Sequence, residues 1–130
     1  MNKNIEMPAG PFVSIVDDDQ AVRESTEALL KSNGFAVQSF ASAVEFLASP
    51  SWDKTNCLVL DVRMPGMSGL ELQRRLAVAH RSVAIVFISA QGYAEARDEA
   101  LRAGAGDFLK KPFSEEALLQ AIRKALGISL

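Results

Sequence analysis

Leu58-Val59-Leu60-Asp61-Val62-Arg63-Met64-Pro65-Gly66-Met67-Ser68-Gly69 is the stretch whose reading decides the fold. An uncharged apolar run stops at Asp61, and Pro65, Gly66 and Gly69 then force a loop. The pattern predicts a buried strand that delivers one carboxylate to its own carboxyl end. Open α/β sheets bind their ligands at that end. Ser68 followed by Glu71 forms a capping box, which starts a helix carrying Leu72, Leu76 and Ala79.

Outward from this stretch the same alternation repeats. Phe12 to Val16 reads as a buried strand ending in Asp17, Asp18 and Asp19, with Asp19 placed to cap a helix. That helix carries Val22, Thr26, Leu29 and Leu30 on one face and stops at Asn33-Gly34. Phe35 to Phe40 is a strand interrupted by Gln38 and Ser39. Ser42 and Glu45 form another capping box for a short helix that ends before Pro50. Residues 51–56 make a polar connector, with Trp52 as a lid over the core. Cys57 to Asp61 is strand three and Val83 to Ser89 the most apolar strand. Tyr93 to Ala103 has a helical period but few large apolar groups, so light packing is expected. Gly104 and Gly106 end it, Asp107 to Lys110 is a short fifth strand, and Ser114 opens a last helix with Leu118, Ala121, Ile122, Ala125 and Leu126 on one stripe.

This is βα five times over, an α/β single doubly wound (βα)5 domain with a parallel five-stranded sheet. Strands one, three and four read as uninterrupted apolar runs, as strands covered on both faces do. Strands two and five are short or polar, which makes them the edges and gives the order 2-1-3-4-5. Winding then reverses between strands one and three, where Asp17, Asp18 and Asp61 converge.

With 130 residues and 48% hydrophobic content the chain supports one core. Residues 11–127 form the domain, residues 1–10 a loose polar tail and residues 128–130 the C-terminal end. The net charge of −2 offers no electrostatic ground for binding nucleic acid or a membrane surface. The single Cys57 sits beside Leu58 and Val59 as a small buried hydrophobe, which suits a reducing cytoplasm. The opening residues lack the apolar centre of a signal peptide, and no run reaches the roughly eighteen apolar residues of a membrane span. His80, at a helix end, reads as a surface residue, and Met64 and Met67 as loop packing.

Three neighbouring carboxylates repel one another, so a cation belongs among them. Oxygen ligands without nearby His or Cys point to a hard divalent ion that keeps its waters, Mg²⁺. Lys111, beside Pro112, ends strand five, and Ser89 offers a hydroxyl at the end of strand four. A cation, a hydroxyl and a metal around one carboxylate can clamp a phosphoryl group. The nucleophile is then Asp61 and the product an acyl phosphate.

Asp17-Asp18, Asp61 in its Asp-Val-Arg-Met-Pro-Gly-Met-Ser-Gly setting, Ser89-Ala90 and Lys111-Pro112-Phe113 together resemble the receiver domain of two-component response regulators, across residues 12–126. Val16-Asp17-Asp18-Asp19, Gly34-Phe35-Ala36-Val37, Ser42-Ala43-Val44-Glu45-Phe46-Leu47 and Lys111-Pro112-Phe113 are most similar to the FixJ/LuxR type. The resemblance implies a flavodoxin-like receiver fold and phosphorylation of Asp61 by a sensor histidine kinase. It implies direct Mg²⁺ ligation by Asp18, Asp61 and the backbone carbonyl of Arg63, with Asp17 acting through water. It implies that Lys111 and Ser89 bind the phosphoryl group, that Ser89 and Phe108 form the switch, and that the Lys111–Pro112 peptide is cis. Such a domain is a cytoplasmic phosphoacceptor switch that promotes its own phosphorylation and dephosphorylation, and is not otherwise an enzyme. Its helix 4/strand 5/helix 5 face controls an output domain or partner, or pairs as a homodimer. DNA is reached only through a separate helix-turn-helix domain. On this reading the phosphoryl group draws Ser89 toward it, the vacated space admits Phe108, and the lightly packed fourth helix shifts.

Two positions depart from the pattern. Phe108 stands where many receivers carry Tyr or His, and Gln91-Gly92-Tyr93 follows Ala90 where the FixJ type usually has His-Gly. Gln91 and Arg63 occupy places where the family tunes acyl-phosphate lifetime. An Mg²⁺-dependent aspartyl phosphohydrolase of the haloacid dehalogenase type requires Asp-x-Asp followed two residues on by Thr or Val, which Asp17-Asp18-Asp19-Gln20-Ala21 lacks. A phosphate-cradling flavodoxin loop would need Gly, Ser and Thr where this one is acidic. A phosphorylation-independent receiver-like module is disfavoured because every acidic and lysine position is present.

Overall fold

The burial of each strand explains its place in the sheet. In the computed structural model, which describes residues 10–79, 83–90 and 93–128, β3 (Cys57–Asp61) is buried at every position. β4 (Ala84–Ser89) and β1 (Phe12–Val16) are buried except at their first residues. β2 (Ala36–Phe40) and β5 (Asp107–Lys110) each bury a single residue. The order is β2-β1-β3-β4-β5 with every pair parallel, as the apolar runs require. The helices between them are α1 (Gln20–Ser32), α2 (Ala43–Ala48), α3 (Gly69–Val78), α4 (Tyr93–Arg102) and α5 (Glu115–Leu126). The expected tail through residue 9, His80, Gln91 and Gly92 lie outside the described residues.

Alternate strand residues face opposite sides, and the core divides accordingly. Val16, Leu58, Leu60 and Phe87 meet Phe46, Leu72, Leu76, Ala96 and Ala100 beneath α2, α3 and α4. Val13, Ile15, Val59, Val86 and Ile88 meet Leu30, Leu118 and Ile122 beneath α1 and α5.

Local capping follows the sequence with two differences. Asp19 accepts from the N–H groups of Ala21 and Val22, and Ser42, Ser68 and Ser114 cap their helices through the hydroxyl. Glu45 reaches back to the N–H of Ala41, one residue before the cap, at 3.1 Å. Glu71 turns instead to Arg75, at 3.2 Å. The connector is more ordered than its polarity implies, because Pro50–Lys54 forms a 3₁₀ turn. Two of its polar side chains, Ser51 and Thr55, go inward: Thr55 Oγ1 lies 2.6 Å from Ser14 Oγ and donates to the carbonyl of Ser51, whose hydroxyl donates to Gln38. Trp52 packs against the core beside them.

Candidate functional site

Asp17 is held at every polar atom as the chain leaves β1. Its N–H donates to the carbonyl of Phe40 at 3.1 Å. Its carbonyl accepts from Arg23 Nη1 at 2.7 Å, and its Oδ1 accepts from the N–H of Asp19 at 2.9 Å. Its Oδ2 faces the ammonium of Lys111, also at 2.9 Å. Asp17 is fully buried, whereas Asp18 is exposed at the mouth of the site.

Asp61 ends β3 with 5% of its surface exposed. Its Oδ1 accepts weakly from the N–H of Arg63 at 3.4 Å, and its Oδ2 lies 3.6 Å from Lys111 Nζ. The loop that follows turns at Gly66, whose φ of +79° favours glycine. Gly69 then brings α3 so close that a Cβ there would collide with the carbonyl oxygen of Asp61. The N–H of Gly69 donates to the carbonyl of Val62 at 2.9 Å, locking that approach.

The fifth strand completes the site. The N–H of Lys111 donates to the carbonyl of Ser89 at 2.8 Å, which ties the ends of β4 and β5 together. The Lys111–Pro112 peptide is cis, and Ser89 is buried beside it. Asp18, Asp19, Asp61, Arg63, Ala90 and Lys111 line a cleft of about 460 Å³ over these groups.

Burial first, and then the neighbouring Asp17 charge, push the Asp61 carboxyl up to about 7 against the opposing pull of Lys111. Burial alone would lower the Lys111 ammonium. The hydrogen bond and charge of Asp17 and the charge of Asp61 outweigh it and raise the group overall. One lysine therefore does not neutralise the carboxylates. Among the described residues, Asp17, Asp18 and Asp61 each place a carboxylate oxygen within 4.8 Å of the others. Asp17 Oδ2 is buried and, apart from its ionic contact, receives no well-directed hydrogen bond. A hard cation bound by oxygen fits that donor set, and no softer ligand is present in it.

Phe108 belongs to the core beneath α4. Its ring is inside, 3% exposed, and stacked on Phe87 with centroids 5.7 Å apart.

The pattern of the response regulator receiver domain matches residues 13–123. The chain belongs to that family. This receiver domain is 48% identical over 117 residues to response regulator protein TmoT of Ectopseudomonas mendocina, covering 90% of this chain and 53% of that protein. It is 43% identical over 123 residues to transcriptional regulatory protein FixJ of Azorhizobium caulinodans, covering 95% of this chain and 58% of that protein. The chain thus spans about half the length of these curated relatives. The crystal structure of FixJ-N superposes with a TM-score of 0.82 at 40% identity, over 92% of this chain and 96% of that one. Response regulator StyR also gives 0.82, at 48% identity, over 90% of this chain and 59% of that one. These matches favour phosphorylation-based signalling over the phosphohydrolase and flavodoxin alternatives. Among the described residues no helix is long and apolar enough to cross a membrane.

Sequence reasoning singled out the acidic residues, Ser89 and Lys111, and the fold brings them to one end of the sheet. Sequence reasoning missed the contact of Arg23 with the acidic loop. The bond from Arg23 to Asp17 has a backbone acceptor, which leaves no mark in the sequence.

Proposed function

We propose that Asp61 accepts a phosphoryl group from a sensor histidine kinase. The observation that carries this reading is the placement of Lys111 Nζ between Asp17 and Asp61, 2.9 and 3.6 Å from their carboxylates, at the cleft floor. A carboxylate oxygen of Asp61 attacks phosphorus while the donor's P–N bond breaks and its imidazole keeps the electron pair. Lys111 and the Ser89 hydroxyl hold the phosphoryl oxygens.

Asp18, Asp61 and the backbone carbonyl of Arg63 would hold Mg²⁺ directly, with Asp17 acting through water. When bound, the ion neutralises charge on the phosphoryl oxygens and keeps Asp61 ionised. The same groups then admit the water that hydrolyses the acyl phosphate, so the domain acts as a self-resetting cytoplasmic switch.

Phosphorylation adds about −1.5 to −2 charge, by analogy with other phosphorylated side chains. Ser89 responds, the Phe108–Phe87 stack repacks, and α4 moves. The α4/β5/α5 face then pairs as a homodimer or engages an output partner. Exposed Arg97, Asp98, Glu99 and Arg102 give α4 charges of both signs, which suits a self-complementary contact. The relatives' names as response and transcriptional regulators support output through control of transcription, for which a separate helix-turn-helix domain is the proposed route. Residues 11–127 are the unit that switches.

Intact mass after incubation with acetyl phosphate and Mg²⁺ tests the reading. One added phosphate, absent from Asp61→Asn, is expected, and an equally modified mutant overturns it. Steady turnover of a small phosphate ester would instead favour a hydrolase.

A further inference from the structure

Asp17 and Asp18 share a peptide plane, so the direction of the Asp17 carbonyl fixes where the Asp18 residue begins. That carbonyl accepts from Arg23 Nη1, which reaches back from the first turns of α1. The other bonds of Asp17 hold its N–H and its carboxylate, on the far side of the rotatable backbone bond before the carbonyl. Asp18 is exposed at the mouth of the cleft. We infer that Arg23 is a positioning residue of the acidic loop, holding the Asp17–Asp18 peptide so that the site selects Mg²⁺ over Ca²⁺.

The inference rests on the metal-site reading above and deepens it. Two effects of Arg23 oppose each other. Its positive charge lies beside a cation site and weakens any divalent ion, whereas its hydrogen bond preorganises the oxygen donors. A charge effect acts alike on two divalent ions. Preorganisation does not, because Mg²⁺ demands near-ideal octahedral geometry and Ca²⁺ accepts flexible sets of ligands. Loss of the bond should therefore weaken Mg²⁺ far more than Ca²⁺.

Calorimetric titration of the full chain with each ion, without any phosphoryl donor, reads this directly. Arg23→Met removes charge and donor while keeping the length of the side chain. Its Mg²⁺ affinity should fall about tenfold, as for other groups that orient metal ligands. Ca²⁺ affinity should change little, so the Mg²⁺/Ca²⁺ ratio falls. Arg23→Lys keeps the charge without the planar fork and should give an intermediate ratio; the same comparison applies to it if Arg23→Met does not fold. Asp18→Ala is the control for the site itself. Loss of Mg²⁺ binding in Asp18→Ala with an unchanged ratio in the Arg23 variants, or equal tightening of both ions, overturns the role of Arg23 alone. Wild-type Mg²⁺ binding that survives Asp18→Ala, or no binding at all, overturns the site reading and this inference together.

Discussion

The two helices that flank β5 are held in different ways. Among described side chains, α4 buries only Ala96 and Ala100, while α5 buries Leu118, Ala121 and Ile122 and packs Leu119, Ala125 and Leu126 partly against the core. α5 is also capped at both ends, by Ser114 and by Gly127 in the left-handed conformation. What α4 lacks in apolar area it replaces with polar ties to α3. The buried amide of Gln73 donates to the carbonyl of Ala100 at 3.1 Å, and exposed Arg74 pairs with Glu99 at 2.9 Å. A buried Leu contributes roughly 1.5–3 kcal/mol, while a methyl is worth about 0.8 kcal/mol. Moving α4 therefore costs little apolar burial, and moving α5 costs much of the second core. A helix whose described buried side chains are two methyls, with polar ties to α3, is suited to report a change at Asp61.

The contrast breaks if deletion of volume from α5 is cheap. Leu118→Ala should cost about 2–5 kcal/mol in urea denaturation, because a fully buried side chain leaves a cavity. A loss under about 1 kcal/mol would mean that α5 is as loosely attached as α4.

The site provides the next test. Asp61 titrates near 7 folded, against an ordinary value of 3.8, so between those values the folded state binds more protons than the unfolded. Metal-free stability should therefore fall as pH rises through that interval, by at most about 1.4 kcal/mol per pH unit. Melting curves in chelator should show the slope, and Asp61→Asn should flatten it. A rising slope would place the carboxyl below its ordinary range. Where the destabilisation is released, amide exchange should quicken more in α4 than in α5.

A smaller effect isolates the polar tie. Gln73→Ala leaves the Ala100 carbonyl without its donor and should cost about 1–2 kcal/mol. Exchange should accelerate across residues 93–102 and stay unchanged across 115–126. Equal acceleration in both helices would remove any special role for the tie. Smallest of all, Arg74→Ala should cost no more than about 1 kcal/mol, and less at high salt, because the pair is exposed.

Much of this was legible in the residues themselves. The unbroken apolar runs of β1, β3 and β4 announced the middle of the sheet, and Asp19, Ser42, Ser68 and Ser114 announced helix starts, because burial period and side-chain capping are local properties of sequence. Asp17, Asp18, Asp61 and Lys111 were legible as a charge cluster once parallel strands were inferred, since each follows a strand end. Tertiary structure alone decided the rest. The Arg23 and Gln73 bonds end on backbone carbonyls, the polar chain that runs from exposed Gln38 through Ser51 and Thr55 to buried Ser14 forms only when β1, β2 and the 3₁₀ turn meet, and Phe108 lies inside because β5 stacks it on Phe87. Contacts between residues far apart in the chain depend on where the backbone travels, and no side-chain pattern within one segment encodes that.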